Sequence, residues 1–309
     1  MRAIGVRTTG GPDQLEVLDI PEPEPGPGEI RIAVRAATVN PTDTILRAGM
    51  RELPDLALPY IPGMDAAGTI DAIGDGVELS VGDRVAAVVN PHTSRGGAYA
   101  EKIVVPAESV ARVPDGVDLV EAATLPLNGL TAWRALEVMR VPDAGTIAVT
   151  GAAGAVGGFA VQLAVHHGLR VVADAKPDDV DLVRSFGADV VLERGDGFPA
   201  AVRDREPGGV DALLDAAVMG PAVLPAVRDG GVIAAVRGFD GEPERGIDVY
   251  VVRPVSYLGK GAWLDELFDL AAQEILTLRV ARTFPAEDAA EAHRALEAGG
   301  VRGRLVLTF

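Results

Sequence analysis

The chain's most specific chemical signal is the stretch Gly151-Ala152-Ala153-Gly154-Ala155-Val156-Gly157-Gly158, directly after the short apolar run Thr146-Ile147-Ala148-Val149-Thr150. A glycine turn between a strand and a helix can hold a dinucleotide. One glycine makes the turn, a second lets the backbone approach a pyrophosphate, and a third lets helix and strand pack closely. Here the spacing reads Ala152-x-Gly154-x-x-Gly157, with alanine in the first place. The helix start behind it offers unbonded N–H groups and the positive end of a dipole. Gly151, Ala153, Gly154, Ala155, Val156 and Gly157 are therefore the candidate pyrophosphate residues. The alternative is a plain packing turn, because 37 glycines make such strings by chance. The strand before it and the helical spacing after it favour binding.

A second set of charges stands where the next strand should end, at Asp174-Ala175-Lys176. An acidic residue about 20 positions past the glycines accepts from a ribose 2′-hydroxyl and favours NAD. Asp174 falls at that distance. Lys176 argues the other way, since an ammonium suits the 2′-phosphate of NADP, and Arg194 could supply a second cation. Each of the three, taken singly, is also readable as a solvated charge at a loop end.

These residues need elements to position them, and the chain has two rhythms. Residues 1–115 read as short strands punctuated by glycine and proline: Ile30–Val34 after the Pro21–Gly28 run, Ala67–Ile70 before Gly74-Asp75-Gly76, and Arg84–Val89 after Gly82-Asp83. That pattern predicts a β-rich, barrel-like domain. From about residue 122, strands alternate with helices. Residues 146–150 are followed by a helical stretch in which Val156, Phe159, Ala160, Leu163 and Ala164 recur at helical spacing. Val171–Ala173, a helical segment near 178–186, Val190–Leu192, Ala212–Leu214, Val232–Val236 and Val255–Leu258 continue the alternation, which predicts βαβ units and a parallel sheet. Leu264–Leu276 and Ala286–Ala298 read as amphipathic helices and Arg304–Leu307 as a terminal strand. The expected fold class is α/β, a doubly wound parallel sheet inserted into a β-rich domain.

Composition narrows the function. The 309 residues are 48% apolar, and 28 cations against 45 acidic residues give a net charge of −17. Such an acidic chain disfavours nucleic acid and anionic membranes as partners. With no cysteine, there are no disulfides, no thiol chemistry and no thiolate zinc site. Of the four histidines, His166 and His167 are helix neighbours about 100° apart and do not converge on one metal. The N-terminus lacks an apolar signal region and no long uncharged apolar run exists, so the expectation is a cytoplasmic globular protein.

Several motifs in order resemble the zinc-independent quinone oxidoreductase branch of the medium-chain dehydrogenase/reductase superfamily. They are Val39-Asn40-Pro41-Thr42-Asp43, Pro62-Gly63-Met64-Asp65-Ala66-Ala67-Gly68, Val81-Gly82-Asp83-Arg84-Val85, Gly97-Ala98-Tyr99-Ala100-Glu101 and Leu125–Trp133. The glycine turn with Ala160–Ala164, Phe186–Asp189, Ala289–Leu296 and Gly303–Leu307 complete the set. The resemblance implies a GroES-like catalytic domain at 1–121, a Rossmann domain at 122–261, and a segment at 262–309 that rejoins the first, with the active site at their junction. It also implies NADPH-dependent reduction of a quinone or α,β-unsaturated carbonyl, NADH remaining open because of Asp174. Zinc-dependent relatives hold their metal with a cysteine and a histidine in the segments matching Asn40 and Met64, so no zinc is expected here.

By the same resemblance Asn40 and Thr131 orient the nicotinamide ribose and carboxamide, and Ala216 and Arg304 join the cofactor residues. Two departures stand out. Ile45 and Arg51 occupy the neighbourhood where quinone reductases often carry tyrosines, and Asp174 is acidic where NADPH-using relatives commonly have a small hydroxylated residue. A reduced quinone needs a proton, and Tyr60, the proposed catalytic donor, is set beside Tyr99, His92 and Lys260, all readable as structural or surface groups, with bulk water as the alternative. Two rival functions are a zinc-free enoyl-thioester reductase, which calls for a basic rim at Arg47, Arg51 and Arg95, and a dinucleotide-binding protein without turnover. The apolar stretch Tyr250–Leu258 is expected to pair across a homodimer two-fold.

Overall fold

The computed structural model describes residues 1–50, 58–253 and 258–309. They divide into two compact units, one formed by Met1–Leu127, Leu258–Ala272 and Leu278–Phe309, the other by Asn128–Tyr257 and Gln273–Thr277. The expected domain boundaries stood at 121/122 and 261/262.

The first unit is a mixed, mainly antiparallel sheet. The pair β1 (Arg2–Gly5) and β2 (Glu16–Asp19) stands apart from a larger sheet built around β3 (Glu29–Thr38). After β3 comes helix α1 (Pro41–Ala48), then β4 (Asp65–Ile73), β5 (Arg84–Val88), β6 (Lys102–Pro106) and β7 (Val110–Arg112). The short helix α2 (Leu119–Ala122) leads to α3 (Pro126–Met139). Near the C-terminus α7 (Gly261–Ala272), β14 (Val280–Pro285), α8 (Ala289–Ala298) and β15 (Arg304–Thr308) rejoin this unit. The sheet order is β14-β15-β3-β4-β5-β7, with β6 also on β3. Alternating residues of β3, Ile30 and Ile32, are fully buried and pack with Ile70, Val85, Ile103 and Leu307 in one core.

The second unit holds six parallel strands: β8 (Thr146–Thr150), β9 (Arg170–Ala175), β10 (Val190–Glu193), β11 (Val210–Asp215), β12 (Val227–Ala235) and β13 (Asp248–Val251). Helices α4 (Ala155–His166), α5 (Val180–Ser185) and α6 (Phe198–Arg205) connect the first four. Their order is β10-β9-β8-β11-β12-β13, which in chain sequence reads 3-2-1-4-5-6, the doubly wound arrangement. Ile147, Ala148, Val149, Val171, Val172 and Ala173 are all fully buried, as continuous apolar runs in a parallel sheet must be. The strand order reverses between β8 and β11, which marks the edge where such sheets bind ligands.

Periodicity located these strands but missed several elements. β1, β2, β7 and β14 are too short, or too polar, to stand out, and β6, though apolar, was not singled out. Arg51 and the stretch 254–257 lie outside the described residues, so the strand read at 255–258 has no described counterpart. The described edge strand is β13.

Candidate active site

In the second unit the glycine turn sits at the C-terminal end of β8. Gly151 takes φ +68°, the left-handed conformation that favours glycine, one residue before the alanine that fills the first fingerprint place. Gly157 is required for a different reason. A Cβ there would lie 2.3 Å from the Gly151 carbonyl oxygen and 2.8 Å from the Ala152 Cα, so α4 seats directly on the turn. At Gly154 a Cβ would meet only the Gly151 oxygen, at 3.0 Å. Gly154 is extended and precedes α4 without any side chain capping the helix. Gly151, Ala152, Ala153 and Gly157 are buried, whereas Gly154, Ala155 and Val156 are half-exposed. The first N–H groups of a helix have no partner inside it, so a half-exposed, uncapped start can receive an anion.

Asp174 is only 1% exposed, and its Oδ1 accepts from the Ala152 N–H at 2.9 Å. Side chains alternate along a strand, and this one turns under the glycine turn. Its Oδ2 has no hydrogen-bond donor, and the Arg194 Nε lies 3.9 Å away. Asp174 thus braces the turn from below. Lys176 is exposed just past the end of β9, and Arg194 is anchored there by its N–H on the Ala175 carbonyl at 2.9 Å. Two cations and one buried carboxylate share this strand tip.

Asp215, which the sequence reading missed, fixes the neighbouring loop. It accepts from the Thr150 hydroxyl at 2.8 Å and from the N–H groups of Met219 and Gly220 at 3.0 and 2.8 Å. Thr150 in turn accepts from the Ala217 N–H at 3.0 Å. A Cβ on Gly151 would lie 3.1 Å from the Ala216 carbonyl carbon, so Ala216 and the turn are in close approach. The carboxylate ending the apolar run Ala212-Leu213-Leu214 was the available signal. Thr131, buried on α3, belongs to this unit too.

In the first unit, Asn40 and Arg304 come together with Thr38 and Asp65. The cause is sheet register. β15 pairs antiparallel to β3 with Val306 opposite Thr38; continuing two residues along each strand brings Arg304 opposite Asn40. β4 pairs with β3 from the other side, with Ala66 opposite Ala37, so Asp65 arrives beside Thr38. The Arg304 Nη2 donates to Thr38 Oγ1 at 2.5 Å, Asn40 Oδ1 at 2.7 Å and Asp65 Oδ2 at 3.2 Å. Asp65 also accepts from the Thr38 hydroxyl at 2.6 Å, from Asn40 Nδ2 at 2.8 Å and, through Oδ1, from the Leu127 N–H at 2.5 Å. Arg304, expected among the cofactor residues, is 6% exposed, and these groups engage its guanidinium.

A second buried chain holds the Asn40 backbone. Asp43 accepts from the N–H groups of Asn40 and Gly63 at 2.7 and 3.0 Å and from the Tyr99 hydroxyl at 3.4 Å. Tyr99 meets His293 Nε2 at 3.1 Å, and Arg47 Nη1 lies 3.5 Å from His293 Nδ1. Arginine has only donors, so His293 Nδ1 accepts and Nε2 donates to Tyr99. Arg47 itself pairs with Glu297 at 2.6 Å. Burial pushes the Asp43 carboxyl up to about 7. Burial, with the nearby Arg47 cation, pushes His293 down to about 3. Burial also raises the Tyr99 phenol well above its ordinary value. Tyr99 is fully buried, which suits a strut and not a proton donor. Tyr60 is half-buried and its backbone bridges to Val6. Lys260 lies over the Trp263 ring at 5.1 Å. Met64 accepts from the Thr42 hydroxyl at 3.1 Å through its sulfur. Among the described residues no cluster of three or more His, Cys, Asp or Glu is placed to hold a metal ion, and no helix is long and apolar enough to cross a membrane.

Residues 26–115 match the family model for the alcohol dehydrogenase GroES-like domain, and residues 172–307 match that for zinc-binding dehydrogenase. A quinone oxidoreductase of Pseudomonas aeruginosa is 32% identical, over 96% of this chain and 96% of that protein. A 2-haloacrylate reductase of a Burkholderia species is 30% identical, over 98% of this chain and 97% of that one. Among solved structures, a mycobacterial protein complexed with NADPH superimposes with a TM-score of 0.87 at 34% identity, covering 100% of both chains.

Proposed function

The chain belongs to the quinone oxidoreductase branch of the medium-chain dehydrogenase/reductase superfamily, and from that membership we propose that it reduces a quinone or another α,β-unsaturated carbonyl with NADPH, without a catalytic metal. One observation carries the reading: the half-exposed start of α4, which has no N-cap side-chain hydrogen bond, on a turn that Gly157 allows to close. The side-chain-free Gly154 and the half-exposed Ala155 and Val156 fit a dinucleotide's pyrophosphate there. When bound, the nicotinamide supplies the hydride.

This chain's residues divide the remaining work. The α4 start and Gly154–Gly157 hold the pyrophosphate. Lys176 and Arg194 take the 2′-phosphate, with Asp174 turned inward to brace the turn. Asn40 and Thr131 orient the nicotinamide ribose and carboxamide. Tyr99 is locked in its buried chain, which leaves the half-buried Tyr60, or water, to supply the proton. Both acceptor classes suit this arrangement because each is a conjugated carbonyl that takes hydride at one end and a proton at the other. Of the three arginines that the thioester alternative calls for, Arg51 lies outside the described residues and the other two are engaged in ion pairs. Arg47 is 4% exposed and paired with Glu297, and Arg95 pairs with Glu29 at 2.6 Å.

The test is a fluorescence titration with NADPH and NADH, followed by turnover of quinones and enones in the presence and absence of a chelator. Tighter NADPH binding and chelator-insensitive turnover support the reading. Tighter NADH binding overturns the cofactor choice, loss of turnover with chelator overturns metal independence, and saturable binding without turnover of any acceptor leaves the non-catalytic binder. We further propose a cytoplasmic homodimer joined along β13, where Tyr250 is 45% exposed. A monomeric mass by light scattering excludes the dimer, and recovery in the membrane fraction excludes the location.

A further inference from the structure

Asn40 has four hydrogen-bonding valences: two N–H donors and two lone pairs on Oδ1. The first N–H faces the Asp65 carboxylate at 2.8 Å, and the Thr38 carbonyl lies 3.4 Å from the same nitrogen. One lone pair faces the Arg304 guanidinium at 2.7 Å. Turning the amide over would set its NH2 against a group that only donates and its oxygen against a carboxylate, so both contacts would become repulsive. The amide orientation is therefore fixed by neighbouring charges, and not by packing. The backbone is fixed as well, since the Asn40 N–H is bound to Asp43 at 2.7 Å. One valence is left, a lone pair on Oδ1.

We propose that Arg304 and Asp65 are positioning residues that lock the Asn40 amide in a single orientation, so that Asn40 offers the cofactor a hydrogen-bond acceptor and never a donor. This rests on the nicotinamide-orienting role given to Asn40 above. Asn40 then receives a hydrogen bond from a ribose hydroxyl or the carboxamide N–H, and it does not stabilise the oxyanion of the reduced substrate. Arg304 acts through Asn40. A site whose supporting groups fix its contacting group loses rate, more than affinity, when a support is removed.

Three measurements on the full chain test this. First, the Asn40 side-chain amide is identified by nuclear magnetic resonance as the signal pair lost in Asn40→Ala. In the unmodified protein it should give one protected pair; exchange at the rate of a free amide overturns the lock. Second, Arg304→Met should broaden or split that pair, while Arg304→Lys, which keeps the charge and a donor, should retain it and is the variant expected to fold in any case. An unchanged pair in Arg304→Met overturns the proposal. Third, loss of one charge-assisted hydrogen bond predicts about a tenfold fall in kcat for Arg304→Met at saturating NADPH, with Kd for NADPH changed less than about twofold. The loss should vanish in the Asn40→Ala background. Additive losses, or a weakened Kd with kcat intact, make Arg304 a cofactor ligand and overturn it. If the unmodified protein neither binds NADPH nor turns over, the proposed function fails, and the resonance measurements still decide the lock.

Discussion

The glycine turn of the parallel-sheet unit and the Asn40–Asp65–Arg304 cluster of the β-rich unit are built in opposite ways. The turn is made of backbone and missing side chains. Its parts lie within a few residues of one another, and its polar groups are N–H donors left over at a helix start. The cluster is made of buried charges from strands that meet only through sheet register, with Arg304 and Asn40 264 positions apart. The turn's tolerance is set by space and the cluster's by charge balance. A backbone site is lost when an atom is added, and a charge cluster is lost when one is removed.

The largest effect should come from breaking the charge balance. Asp65→Ala strips the carboxylate that accepts from the buried Arg304, Thr38 and Asn40 and leaves a buried ion pair broken, which costs about 3–5 kcal/mol. Chemical denaturation measures this, and a cost near that of a surface substitution would show that the cluster is not a buried charge network. Next is the addition of a single methyl group to the turn. Gly157→Ala should cost about 1–3 kcal/mol by overpacking and abolish NADPH binding by prising α4 from the turn. Gly154→Ala, whose Cβ meets a single backbone oxygen at 3.0 Å, should lower the melting temperature less than Gly157→Ala and weaken binding. Equal effects at the two glycines would erase the distinction between packing glycine and binding glycine.

A smaller effect tests the one place where the turn depends on a charge. Asp174→Asn keeps an acceptor for the Ala152 N–H but removes the anion beside Arg194. The partly exposed pair predicts a shift of roughly fivefold in relative affinity toward NADPH over NADH. No shift would confine Asp174 to bracing.

A further prediction is a pH effect confined to the β-rich unit. His293 titrates at about 3 when folded, below its ordinary 6.5, so its share of stability is present above 6.5 and is lost as pH falls toward 3. Asp43, raised from 3.8 to about 7, has the opposite sign: its share is present below 3.8 and is lost as pH rises toward 7. Between 3.8 and 6.5 the two slopes oppose each other. His293→Gln should remove one of them, so that its stability relative to the unmodified protein improves as pH falls through that window. Denaturation at pH 7, 5.5 and 4 measures the slope, and an unchanged slope would mean that the buried histidine is not linked to folding.

Legibility in the sequence follows the same division. The β8–turn–α4 unit could be read directly because strand and helix periods and glycine spacing are local. Gly151 shows the limit: its left-handed φ shifts the turn by one residue from the fingerprint register. Asp174 was readable as a carboxylate at the right distance, yet which face of β9 it occupies depends on strand register and end point. Lys176 and Arg194 were located, but the attachment of Arg194 to the Ala175 carbonyl was not. His293 falls within the predicted helix Ala286–Ala298 with no sign of its role, because nothing near it in sequence announces Tyr99, Arg47 or Asp43.

By itself the sequence determined the alternation of elements, the glycine turn, the lack of thiol chemistry and the family. Each of these is carried by residue types and short-range spacing. Only the tertiary structure decided that Asp174 faces inward, that Asp215 holds the loop beside the turn, and that Arg304 meets Asn40. Those outcomes depend on which strands pair and in what register. Pairing is selected by the burial of whole apolar faces, while the polar residues at the strand ends are carried to wherever that register places them.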